Sequence, residues 1–305
     1  MTDLPLPAAA RPLGQTGLAI PPLAWGMWRL ADTVHDVTAA ARLVHAALDA
    51  GLTLLDTADI YGFDGSEGSF GRAEALLGAV LAAEPALRGR MVLATKGGIR
   101  PPLPYDQSPQ WLAQAIDDSL RRLRTDCIDL WQVHRPDLLA HPQELARGLD
   151  DAVTSGKVRA LGVSNFTTHQ IAALQHFLSH PLATTQPEIS PLRLTCFENG
   201  ELDQAMMTGL IPIAWSPLGG GRVAAPETAR ERAVAAALDA VAQDRGVSRT
   251  VAALSWLMAH PSGIVPIVGS QTPARMAEAA TAAAVRWSRA EWYAVLVASR
   301  GEPMP

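Results

Sequence analysis

Two cysteines, three tyrosines and two lysines among 305 residues are the scarce types in this chain, and each scarcity excludes something. Cys127 and Cys196 are far apart and match no metal-ligand spacing, so neither a disulfide framework nor a zinc site is expected. Two free thiols suit a reducing, cytoplasmic setting. Long hydrophobic runs are missing as well: the longest apolar stretches, such as Ala75–Ala83, fall far short of the roughly 20 residues of a spanning helix. The segment Met1–Ala10 has no basic start and is broken by Pro5 and Pro7, unlike a signal peptide. Basic excess is also absent. The formal net charge is −5, which argues against a general nucleic-acid binder, and no polybasic or amphipathic membrane anchor stands out.

What is present is material for a large core: 48% hydrophobic and 18% charged residues. Short apolar runs alternate with longer amphipathic ones. Strands are expected near Leu23–Gly26, Thr53–Asp56, Met91–Lys96, Ile128–His134, Ala160–Val163, Thr184–Pro187, Ile211–Ser216 and Ile264–Val268. Helical patterns fall between them at Val37–Ala50, Arg72–Ala83, Pro109–Leu123, Gln143–Ser155, Thr168–Leu178, Leu202–Thr208 and Arg230–Asp244. Another begins around Ser248, and Pro273 opens the last crossover helix. Eight strand–helix units in one uninterrupted series predict an α/β fold, a closed (β/α)₈ TIM barrel, in a single domain spanning residues 1–305. Two additions are expected outside the repeat, an N-terminal β-hairpin over Leu13–Pro22 and an extra C-terminal helix over Ser288–Ser299.

In such a barrel the active site forms where the C-terminal strand ends meet the following loops. The second strand ends at Asp56, with Tyr61 five residues on; the third ends at Lys96 and the fourth at His134. Asp56 at the end of an apolar run needs a partner, because an unpaired buried carboxylate is expensive. Lys96 supplies one. Lys96 and Lys157 are the two lysines among 25 basic residues, so an ammonium at a strand end is conspicuous in a chain that otherwise uses arginine. Lys96 is also expected to lower the pKa of Tyr61 from its usual value of about 10. A tyrosine tuned this way can give a proton to a carbonyl oxygen as hydride reaches the carbon. His134 can hydrogen-bond the same oxygen or help relay the proton. Taken singly, each residue has a structural reading: a turn cap, a surface pair, a satisfied core histidine. Four on one rim are harder to explain that way.

These segments, LLDTADIYG, ATKGG and DLWQVHRPD, resemble the catalytic tetrad of the aldo-keto reductases in order and spacing. The likeness continues through LGQTGLAIPPLAWGMW, GRAEALLG, SLRRLRTDCIDL, SGKVRALGVSNFT, QPEISPL, AWSPLGGGR and VPIVGSQTPARMAEA. The HRPD, AWSPLGGGR and PIVGS versions look closest to the bacterial general-oxidoreductase branch. The resemblance implies reduction of aldehydes or ketones to alcohols with NADPH, Tyr61 acting as proton donor beside Lys96, Asp56 and His134. It carries nicotinamide contacts onto Gly26, Met27, Trp28, Ser164, Asn165 and Gln186, with Trp215 stacking on the ring. The pyrophosphate falls to Ser216, Leu218, Gly219, Gly221 and Arg222, and the adenosine end to Gly269, Ser270, Arg275 and Glu278.

Three departures from the family pattern matter. Trp215 stands where many relatives have tyrosine, Gly269 where many have lysine, and Ala279 where an adenine-binding asparagine is usual. Without that lysine the NADPH preference rests on Arg275 and Ser270, and use of NADH stays open. The expected partner is a small carbonyl compound; the physiological substrate and oligomeric state are not specified by these segments. Trp25, Trp28, Phe63 and Arg135 are candidates for the mouth, and the remaining histidines have no ligand-like spacing, so no metal site is expected. Two rival readings keep the same barrel: a lyase with Lys96 as Schiff-base nucleophile, and a nicotinamide-nucleotide-binding sensor module with little turnover.

Overall fold

The computed structural model describes residues 3–304; Met1 and Thr2 of the N-terminal segment, and Pro305, lie outside the described residues. Strands β1 (Arg11–Pro12) and β2 (Ala19–Ile20) pair antiparallel as the hairpin. It starts two residues before the expected Leu13, because Leu13 turns inward and the pairing falls on the residues flanking the turn. Eight parallel strands follow: β3 (Ala24–Gly26), β4 (Leu54–Asp56), β5 (Val92–Gly97), β6 (Ile128–Val133), β7 (Val158–Ser164), β8 (Leu182–Gln186), β9 (Ile211–Ala214) and β10 (Val265–Val268). They close in chain order, with β10 pairing to β3. The expected (β/α)₈ barrel is the fold.

The helices are α1 (Leu30–Thr33), α2 (Val37–Asp49), α3 (Arg72–Ala83), α4 (Pro109–Leu123), α5 (Pro142–Thr154), α6 (Thr168–Phe177), α7 (Thr195–Glu198), α8 (Glu201–Thr208), α9 (Ala229–Arg245), α10 (Arg249–Met258), α11 (Pro273–Ala280) and α12 (Arg289–Arg300). Local chemistry fixes their starts. Asp36 caps α2 by accepting from Ala39 N, and Thr167–Gln170, Thr228–Glu231 and Ser288–Glu291 form reciprocal capping boxes on α6, α9 and α12. The one-turn helices α1 and α7 are additions that a 3.6-residue period is too coarse to reveal. No helix among the described residues is long and apolar enough to cross a membrane.

Strand alternation sorts side chains into two apolar layers. Leu54, Val92, Ala94, Leu130, Ile213 and Val265 fill the barrel interior, and Leu13 and Ile20 of the hairpin seal it from below. Leu55, Leu93, Trp131, Val133 and Val163 point outward into a larger layer beneath the helices. Higher in the barrel the inward positions turn polar. A register shift between β7 and β8 pairs Leu161 with Leu182 but Gly162 with Thr184, leaving Ala183 as an extra residue in β8. This bulge re-aims the rest of β8, as bulges beside active sites do. Thr184 and Gln186 then reach other interior side chains, although period-two counting places them on the face of outward-packed Leu182.

Candidate active site

Asp56 closes β4 and Lys96 lies one strand over in β5, whose Ala94 is paired with Asp56. Tyr61 follows β4 in a turn braced by Asp59 N donating to Lys96 O (3.0 Å) and Tyr61 N to Ala58 O (3.1 Å). The Lys96 ammonium is fully buried and spends its three hydrogens on three acceptors: Asp56 Oδ2 at 2.7 Å, Thr57 O at 2.8 Å and Tyr61 Oη at 3.2 Å. His134 directly follows β6, and its ring meets Tyr61 edge-on with centroids 5.8 Å apart. The four predicted residues therefore share one opening.

Their electrostatics differ in one respect from expectation. Burial acts first to lower the Lys96 pKa, but Asp56 and Tyr61 together hold it above its ordinary value. For Tyr61 the contest ends the other way: burial raises its pKa, Lys96 and Arg135 pull it down only in part, and the net position is above 10.0. The expected net lowering by Lys96 is thus corrected, because removing the phenolate from water costs more than one shared ammonium returns. His134 lies well below 6.5, chiefly from burial and then from Lys96 and Arg135, so its imidazole is neutral at pH 7.

The residues expected at the nicotinamide also gather. Gly26 closes β3, where a Cβ would meet Ile267 Cγ2 at 2.5 Å, so only glycine fits. Met27 is buried and its N donates to Asp56 O at 2.9 Å, whereas Trp28 is 62% exposed on the rim. Ser164 Oγ donates to Gln186 O (2.8 Å), Asn165 Nδ2 to His134 O (3.2 Å), and Trp215 Nε1 to Asn165 Oδ1 (3.0 Å). Gln186 Nε2 is turned onto Asp56 Oδ1 at 3.0 Å, so this side chain also braces the carboxylate. Asn165 and Ser216 both hold positive φ, 62° and 49°, conformations costly for residues with a side chain and concentrated at functional sites.

Above β9 the turn Gly219–Gly221 has three positive-φ residues, and nothing lies within 4 Å of a Cβ at Gly220 or Gly221. Leu218 borders this turn and Ser216 O accepts from Gly219 N at 2.8 Å. The Arg222 guanidinium donates to Gly219 O at 2.9 Å and pairs with Glu231 at 3.4 Å. Gly269 is likewise open, Ser270 O accepts from Trp25 Nε1 at 3.0 Å, and Arg275 and Glu278 stand exposed on α11. An open glycine run, the N-terminus of α11 and the exposed Arg275 guanidinium suit an extended polyanion. Buried Gln271 Oε1 and His134 Nδ1, beside this groove and opening, have no hydrogen-bond partner among the described residues. The residues present fit a nicotinamide dinucleotide.

Sequence reading missed Gln132, Thr184, Gln271 and Glu231. Gln132 had a usable signal: a lone amide two residues before His134, on the same strand face, among apolar Leu130, Trp131 and Val133.

The family model for the aldo/keto reductase family matches residues 22–296, and the chain belongs to that family. It is 74% identical, over the whole of both chains, to a 6-dehydroglucose reductase from Novosphingobium aromaticivorans. A 6-dehydroglucose reductase from Agrobacterium fabrum is 36% identical over 92% of this chain and 94% of its own length. Oxidoreductase YdhF from Escherichia coli is 34% identical at the same coverage, which places the chain in the bacterial branch. Among solved structures, the thermostable aldo-keto reductase Tm1743 with the inhibitor epalrestat superposes with a TM-score of 0.81 at 23% identity, covering 95% of this chain and all of its own, a likeness of fold. The protein is a carbonyl-reducing oxidoreductase that uses a nicotinamide cofactor.

Proposed function

We propose that this chain, as one cytoplasmic domain, reduces the C6 aldehyde of 6-dehydroglucose to the primary alcohol with NADPH. The substrate comes from the name shared by the 74% and 36% identical relatives. The observation that carries the mechanism is the Lys96–Tyr61 bond: because Tyr61 Oη accepts from Lys96 Nζ, the phenol's own hydrogen is free to be donated. The nicotinamide, when bound, supplies the hydride that ends on the carbonyl carbon. Tyr61 gives its proton to the oxygen, and Lys96 stabilises the phenolate left behind until solvent reprotonates it. Neutral His134 orients the same oxygen through its one N–H and does not serve as the acid. Gly26, Met27, Trp28, Ser164, Asn165, Gln186 and Trp215 would hold the nicotinamide end. Ser216, Leu218, Gly219, Gly221 and Arg222 would hold the phosphates, and Gly269, Ser270, Arg275 and Glu278 the adenosine.

A Schiff-base role for Lys96 meets a physical objection. Its nitrogen is fully buried, triply hydrogen-bonded and held protonated, so it has no lone pair to offer. The test is NADPH consumption by the purified protein with 6-dehydroglucose and a panel of other aldehydes and diketones. Turnover of 6-dehydroglucose should exceed the rest, and Tyr61→Phe should lower kcat about 10²- to 10⁴-fold. Full activity in Tyr61→Phe removes the proposed donor. Tight NADPH binding with no turnover across the panel replaces this reading by that of a sensor module.

A further inference from the structure

Beneath the catalytic group lies a polar layer that the mechanism above does not use. Gln132 on β6 is fully buried in the barrel interior. Its Nε2 donates to Asp56 Oδ1 at 3.4 Å, and its Oε1 accepts from Thr184 Oγ1 at 3.2 Å. The first contact decides which way the amide faces. A carboxylate only accepts, so it takes the NH₂ end, and a flipped amide would set oxygen against oxygen; the Thr184 hydroxyl, able to donate or accept, then donates to Oε1 and holds the amide there. Space for the arrangement comes from Gly162 on β7, where a Cβ would lie 2.1 Å from Thr184 Oγ1 and 3.0 Å from Gln132 Cγ. The bulge at Ala183 supplies the rest by bringing Thr184 opposite Gly162. Four strands thus converge on one amide.

We propose that Gln132 is a positioning residue for the reaction: held by Thr184 and given room by Gly162, it fixes the Asp56 carboxylate under Lys96 and so sets the proton affinity of Tyr61. Asp56 Oδ2 meets Lys96, and among the described residues Oδ1 meets Gln186 at 3.0 Å and Gln132 at 3.4 Å. Loss of one amide leaves the carboxylate's negative charge less shared, and its field at Tyr61 stronger. Asp56 raises the Tyr61 pKa while Lys96 and Arg135 lower it, so a stronger Asp56 field moves Tyr61 upward. The other titratable ring at the opening, His134, is neutral and adds no opposing charge. The inference rests on Tyr61 being the proton donor, but its first readout needs no turnover.

The chain's three tyrosines make that readout practical. Tyrosine ¹³Cζ resonances are titrated by NMR in the wild type, Gln132→Met, Thr184→Val and Thr184→Ser, with Tyr61→Phe assigning the signal. Gln132→Met should move the Tyr61 midpoint up by about half a pH unit, a roughly threefold rise in proton affinity. Thr184→Val should shift it the same way by less, and Thr184→Ser, which keeps the hydroxyl, should restore the wild-type midpoint. In the kinetic arm the alkaline limb of kcat follows the same order, with the cofactor KM unchanged. A lowered Tm in Gln132→Met with a wild-type Tyr61 midpoint overturns the proposal and leaves Gln132 a packing residue. If Gln132→Met does not fold, the Thr184 pair decides: equal midpoints for valine and serine overturn it. Shifted midpoints together with full activity in Tyr61→Phe uphold the coupling and sink the donor role instead.

Discussion

The two ends of the barrel interior are built from the same inward-facing strand positions and do opposite things. At the lower end Leu13, Ile20, Leu54, Val92 and Leu130 make an apolar plug. Further along the same strands and on the same face, Asp56, Lys96 and Gln132 replace Leu54, Val92 and Leu130, and Gln186 of β8 joins them past the bulge. Burying an apolar side chain there contributes about 1.5–3 kcal/mol. Burying Lys96 and Asp56 returns little net stability even when paired, because desolvation offsets much of the attraction. The lower end holds the barrel closed; the upper end keeps Lys96, Asp56 and Tyr61 dry and aligned, as the proposed proton transfer requires. Strand parity, corrected in β8 by the Ala183 bulge, chooses the address, and the side chain at that address chooses between stability and chemistry.

That division can be broken from either side. The largest effect is expected at the upper end. Lys96→Met leaves the Asp56 carboxylate without its cation, so kcat should fall about 10²- to 10⁴-fold. Unfolding free energy should drop by about 3–5 kcal/mol, read from denaturant titration beside the steady-state assay. At the lower end Leu54→Ala should cost about 2–5 kcal/mol while kcat and KM stay near wild type. A loss of kcat as large as that of Lys96→Met would show that the two ends are not separable.

A smaller effect comes from His134. Its pKa is depressed, so the unfolded chain binds the extra proton between the folded value and 6.5, and stability falls as pH drops through that window. His134→Gln should flatten this dependence in thermal melts from pH 7 down to pH 5. The smallest effect is at the adenosine end. Arg275→Ala should weaken NADPH binding about tenfold by fluorescence titration and leave NADH binding unchanged. Equal losses for both cofactors would move the 2′-phosphate contact elsewhere.

The strand series was legible because parallel strands covered on both faces read as short apolar runs, and the tetrad because its members sit at or beside strand ends. What stayed hidden had physical causes. The Ala183 bulge breaks the two-residue period, so simple alternation does not bring Thr184 inward, and Gln186 was named through the family resemblance and not through its place on the strand. The direction of the Tyr61 shift depends on how deeply its ring is enclosed, which residue identity does not encode. Arg11–Pro12 carries no alternation that marks a strand, and its pairing follows from the turn it flanks.

The most direct test of the account follows one atom. Reduction of 6-dehydroglucose with NADPH carrying deuterium at the transferable C4 position should place that deuterium on C6 of the glucose formed, seen by NMR. Tyr61→Phe should form almost none of this product under the same conditions. Deuterium absent from C6, or labelled product formed at the wild-type rate by Tyr61→Phe, would contradict it.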